Sequence, residues 1–213
     1  MEIHTGRADL PPIALSEVFI VLFVTLGPIN FVKLFGQLTH DATEAFSRKL
    51  ALRAIVIATI SLLASAVVGS VFLTKWRISV GAIAITAAIL LFVVAMKSIL
   101  ALYAEPSSHA HAAPAPSLES AVTPLAFPGI VTPYGIAVMI VLLTLGPTYL
   151  WQILGLVAVV LLLDLTIMFF FKPIMRAIGV PLSMLGVVLS VLQIALSIQF
   201  ALLGIRAILA HGV

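Results

Sequence analysis

The chain has 213 residues, of which 62% are apolar and 9% charged, with a formal net charge of +3. Soluble domains run near ~45–50% apolar and ~25% charged, and a chain this short has too much surface per volume to hide such an excess from water. A soluble enzyme and a disordered chain are therefore excluded, and the composition calls for lipid as the solvent.

Residues 1–14 form a polar segment with Glu2, His4, Arg7, Asp9 and two prolines, so no cleaved signal peptide is expected. The first predicted span, Leu15–Leu34, is interrupted by Gly27-Pro28. The second, Leu50–Leu73, follows Asp41-x-x-Glu44, a pattern resembling a helix N-terminal cap. One helix from Ala42 to Leu73 would be about 48 Å long and carry Arg48, Lys49 and Arg53 into the headgroups. The third span is Ile78–Leu100, after which Ser107–Leu118, rich in Pro, Ala, Ser and His, reads as a flexible linker within residues 102–120. The fourth, Ala121–Thr144, is interrupted by Pro124, Pro128 and Pro133. The fifth is Leu150–Phe171 and the sixth Pro181–Ala210.

The charge map supports these spans. Nothing charged lies in the 21 residues between Arg53 and Lys75, the 44 between Glu119 and Asp164, or the 29 between Arg176 and Arg206. A spanning helix needs ~20 apolar residues, and the alternation of a barrel strand is missing. The fold class is thus all-α membrane, with six spans in two three-span halves, 15–101 and 121–210. Three spans per half invert the second half relative to the first, an arrangement of many secondary transporters.

Lys33, Arg48, Lys49, Arg53, Lys97, Lys172 and Arg176 fall at one end of the spans, against Arg7, Lys75, Arg77 and Arg206 at the other. The positive-inside rule then puts both termini outside the cytoplasm, in the cell (inner) membrane. Basic residues dispersed at span ends speak against a nucleic-acid partner. Trp76, Tyr103, Tyr149 and Trp151 also fall at span ends, as an aromatic belt would.

The two interruptions are the chemical signal. Proline removes a backbone donor and clashes with the preceding turn, and freed backbone groups at membrane depth are tolerated only around a cavity or a substrate. Half-helix N-termini there attract an anionic group such as a carboxylate. Thr25, Gly27, Pro28 and Asn30 surround the first break; Thr132, Pro133, Tyr134 and Gly135 surround the second. The competing reading is a pair of proline kinks that only tune packing. Equivalent positions in the two halves favour a binding site for a small polar solute.

These residues also carry a family resemblance. Gly27-Pro28-Ile29 with Asn30, the run Asp41–Ala54, Ile89-Leu90-Leu91-Phe92 with Ala95-Met96-Lys97, Pro124-Leu125-Ala126-Phe127-Pro128 with Pro133-Tyr134-Gly135, and Ile198-Gln199-Phe200 with Gly204-Ile205-Arg206 appear in order. The chain resembles the MarC family of six-span membrane proteins, some of which are small neutral amino acid transporters. It departs from the family pattern at Gly27, Asn30, Ala87-Ala88 and Leu203. The resemblance implies a transporter, a small neutral amino acid as cargo, and Gln199 as a further site residue.

Asp164 is the acidic residue well inside a span. An ionised carboxylate there costs ~2.5–3.5 kcal/mol on insertion scales, which makes Asp164 a proton-coupling candidate; an interfacial or ion-paired carboxylate is the alternative. The small and polar stripe Ser183, Gly186, Ser190, Gln193, Ser197 and Gly204 holds one face of the last span and reads as close helix packing. The chain has no cysteine, and His109 and His111 in the linker are a weak metal signal. No metal or cofactor is expected. An intramembrane enzyme is not expected either, since no histidine lies within a span and paired carboxylates are missing. A non-transporting membrane subunit or a lipid-handling protein is the second functional class, and homo-oligomerisation stays open.

Overall fold

The computed structural model describes residues 15–101, 103, 117–144 and 147–211. The 1–14 segment and most of the 102–120 linker, with His109 and His111, lie outside them. The elements are α1 (Leu15–Leu26), α2 (Ile29–Thr39), α3 (Glu44–Trp76), α4 (Val80–Leu100), an irregular wound segment (Leu118–Ile130), α5 (Pro133–Leu143), α6 (Pro147–Phe169) and α7 (Phe171–His211). Among the described residues, five segments are long and apolar enough to cross a membrane. They become six when the wound segment and α5, bent by 59°, count as one span. This is an all-α, multi-pass membrane protein.

The long helix expected after the first loop is α3, but its cap differs from the expected one. Thr43, in extended geometry (φ −68°, ψ 154°), accepts a bond from the Phe46 N–H at 3.3 Å, while Asp41 pairs with His40 at 2.8 Å. A hydroxyl one residue before the helix suits an N-cap better than a carboxylate already engaged. At the far end Arg77 adopts left-handed geometry (φ 53°) and Ile78 N–H bonds back to Leu73 O at 3.0 Å, closing α3 sharply. Ser79 then caps α4 through the Ala82 N–H at 3.1 Å.

The last span differs more. Lys172 and Arg176, expected in a loop, lie in the first turns of α7, which runs 41 residues and contains Pro181. Between α6 and α7 only Phe170 leaves the helix, and it is bonded on both sides: Phe170 N–H to Thr166 O and Ile174 N–H to Phe170 O, each at 3.0 Å. Pro173 sits in the first turn of α7, where a missing N–H deprives no intrahelical bond.

Two packing regimes hold the bundle. On α3, Leu50, Ala54, Ala58, Leu62 and Ala66 repeat every fourth residue and are all buried, giving a stripe of alanine and leucine on a helix that packs on α5 and α6. α4 and α7 form the most extensive pair and run antiparallel, Gly81 at the start of α4 meeting Gly204 late in α7 while Ser98 near its end lies by Gly186 and Ser190. At their crossing a Cβ on Gly81 would lie 2.7 Å from Gly204 O, and one on Gly204 would lie 2.7 Å from Gly81 O, so glycine on both sides lets the backbones touch. Val56, Ile60, Val67 and Val71 on α3 and Leu162 on α6 stay exposed, as a lipid-facing surface requires. Trp76 and Trp151 are exposed at helix ends.

Candidate functional site

The first break begins with a missing donor. The helical partner of Val24 O would be the N–H of residue 28, and Pro28 has none. The chain turns at Gly27, whose N–H bonds Phe23 O at 2.9 Å, and restarts at Ile29. Unmet carbonyls at this depth are expensive, and here side chains from three elements meet them. Asn30 Nδ2 donates to Thr25 O at 3.2 Å and reaches Val24 O at 3.5 Å. Thr132 Oγ1 donates to Thr25 O at 3.0 Å, and Gln193 Nε2 on α7 donates to Val24 O at 3.1 Å.

The second break follows from proline sterics. A residue before proline is pushed out of helical geometry. Thr123 (φ −133°, ψ 126°), Phe127 (φ −134°, ψ 128°) and Thr132 (φ −87°, ψ 150°) are each extended, and each precedes a proline. The interruption is therefore longer than a single kink. Thr132 caps α5, accepting from the Gly135 N–H at 3.0 Å, and Tyr134 OH donates to Asn30 Oδ1 at 3.2 Å.

The two breaks thus meet each other. Gly135 marks the contact: a Cβ there would lie 2.8 Å from Leu26 Cδ2 and 2.8 Å from Thr132 Oγ1. Beside the contact lies a cavity of about 290 Å³ walled by Pro128 and Pro133 and by the polar side chains of Asn30, Ser98, Thr132, Tyr134, Ser190 and Gln193. Among the described residues none of its lining side chains is charged. The first turns of α2 (Asn30) and α5 (Pro133, Tyr134) both border it, so two half-helix N-termini face one space.

Of the residues singled out from sequence, Asn30, Thr132, Pro133 and Tyr134 line the cavity. Gly27 and Pro28 make the break and are buried behind it. Thr25 is fully buried; its hydroxyl bonds Val21 O at 2.8 Å, and its carbonyl joins the two breaks. Gln199 lies apart. It is exposed and sits six residues past Gln193, about 240° around the helix. Asp164 also lies apart. Its side chain is fully buried on the α6 face that carries Ile153, Val157 and Val160, and α6 packs on α1 and α3. Neither carboxylate oxygen has a hydrogen-bond partner among the described residues.

Gln193, Ser190 and Ser98 were not singled out as site residues by sequence. Two of them belong to the α7 stripe that reads as packing. That stripe divides: Gly204 packs on Gly81, whereas Gly186, Ser190 and Gln193 border the cavity. Gln193 could have been distinguished, because a carboxamide is too large to serve close helix contact. Among the described residues there is no cluster of three or more metal-ligating side chains.

The family model described as MarC family integral membrane protein matches residues 13–209. The chain belongs to the MarC family. No curated protein and no solved structure matches it.

Proposed function

We propose that this MarC-family membrane protein is a secondary transporter that moves a small neutral amino acid by alternating access around the junction of its two broken helices. The supporting observation is the uncharged polar cavity of about 290 Å³ bordered by the N-termini of α2 and α5. That volume sits at the small end of the ~300–1,000 Å³ range of small-molecule sites. Two positive helix ends suit a carboxylate, and the hydroxyl and amide groups of Asn30, Ser98, Tyr134, Ser190 and Gln193 suit an ammonium and a small side chain. An uncharged lining favours a cargo without net charge, since a net charge would stay uncompensated at this depth.

In this reading the two three-span halves are inverted repeats that rock about the junction. The bonds from Thr132 to Thr25 O and from Tyr134 to Asn30 are the contacts that would break and re-form as the cavity changes sides. Asp164 is the place where a coupling proton is held. It acts at a distance, through α1 against which α6 packs.

Proteoliposomes given labelled alanine, glycine, serine or threonine, with and without a pH gradient, test the reading. Saturable flux of at least one is expected, lost in Asn30→Ala and Tyr134→Ala when normalised to the amount of protein reconstituted. Absence of saturable flux from the unaltered protein would reject the neutral amino acid cargo. Asp164→Asn should remove the pH dependence while solute binding persists; unchanged pH dependence rejects the coupling role.

A further inference from the structure

The end of the bundle where α2 finishes, α3 starts and α6 passes into α7 carries a second set of pockets, unrelated to the helix breaks. One, of about 140 Å³, is bounded by Glu44, Ser47 and Arg48 of α3, Lys172 of α7, and the aromatic run Phe169, Phe170 and Phe171. Its floor is Phe35, fully buried and edge-on to Phe171 with ring centroids 5.2 Å apart. A second pocket, of about 250 Å³, adjoins it, sharing Thr39, Phe171 and Lys172 and adding Arg176 and His40. Lys172 therefore stands between two concavities, with Arg48 on one side and Arg176 on the other.

The charges here are poorly balanced. Glu44 faces Arg48 only at 3.9 Å, with both side chains largely exposed, and Asp41 is taken by His40. Lys172 and Arg176 form no ion pair among the described residues. Together the two pockets set Arg48, Lys172 and Arg176 against the single carboxylate of Glu44, and this basic balance beside apolar aromatic walls, at the end of membrane-spanning helices, matches an amphiphile with an anionic head and a hydrocarbon body. Lys and Arg supply donors for phosphate oxygens. Met168, Phe169 and Phe170 supply apolar surface for the glycerol and upper acyl chain.

We propose that this end of the molecule holds the phosphate of an anionic phospholipid, seated at Lys172 between Arg48 and Arg176. The lipid would brace the one-residue joint at Phe170, which links the helix bearing Asp164 to the helix bearing Gln193. The site stands independently of whether the junction cavity transports anything.

Native mass spectrometry of the full chain, released from nanodiscs of phosphatidylglycerol or of phosphatidylcholine, tests it. Phosphatidylglycerol should be retained and phosphatidylcholine not. Arg48→Gln with Lys172→Gln should weaken retention by roughly 25-fold, about fivefold for each lost cation. Lys75→Gln with Arg206→Gln, the same charge removed at the opposite end, should leave retention unchanged. Equal weakening by both pairs would mean diffuse attraction and overturn the proposal. Displacement of the lipid by millimolar inorganic phosphate, with phosphate retained in its place, would assign the pocket to a soluble anion and overturn the lipid. If the double variant loses its helical circular dichroism, the exposed Lys172→Gln alone carries the test, with about fivefold weakening expected and unchanged retention contradicting it.

Discussion

The two helix breaks are built differently. The break at Gly27-Pro28 has no cap of its own, since Pro28 precedes α2 without a side-chain bond to it. The break at Val131–Pro133 supplies its own cap through Thr132, and the same hydroxyl donates across to Thr25 O. One threonine therefore completes both interruptions, while Asn30 and Gln193 complete only the first. A break that depends on distant side chains is sensitive to whatever those side chains do, and one that caps itself is a fixed reference. The first break is thus held by side chains of other elements, and the second by its own threonine.

Substitutions that disturb this asymmetry rank by what they leave unmet. Gly27→Ala should be the most damaging, because a Cβ there runs into Phe23 O, a backbone atom that cannot rotate away. A loss of about 3 kcal/mol is expected, read as reduced membrane abundance and a lower melting temperature in detergent. Thr132→Val removes the cap and the cross-link together, and should cost about 2 kcal/mol. Gln193→Leu leaves Val24 O with only the longer 3.5 Å contact from Asn30, for about 1 kcal/mol. A smaller stability loss for Thr132→Val than for Gln193→Leu would invert the comparison. Gln199→Ala, off the cavity and exposed, should change stability by less than about 0.5 kcal/mol and leave solute binding intact.

Much of this is legible in the sequence. Prolines at 28, 124, 128 and 133 announce both breaks, because a missing N–H and a clash with the preceding residue act locally. The spans followed from apolar length. What escaped were features decided by tertiary contact. Asp41-x-x-Glu44 resembles a cap in sequence, yet Thr43 caps the helix while Asp41 pairs with His40. The gap expected between Phe171 and Pro181 is helical instead, because a proline at 173 falls in the first turn and leaves α7 intact. The carboxamide of Gln193 is the one cue in the α7 stripe, since the small residues around it at helical spacing signal packing and cavity lining equally. Only the partner helix distinguishes them, Gly81 opposite Gly204 and open space beside Ser190. Gln199, implied by family resemblance, shows the reverse, since a residue type can persist in a motif while facing away from the cavity.

In a transporter of this kind the space between the two breaks receives solute from water. The chain has no native cysteine, so single cysteines can be read without background. Ser190→Cys, on the cavity wall, should react with a membrane-impermeant thiol reagent, and alanine should slow that reaction at least severalfold. Gln199→Cys should show no alanine protection. Ser190→Cys that is unreactive from both sides of the membrane, or that reacts at the same rate with and without every small neutral amino acid tried, would contradict the account.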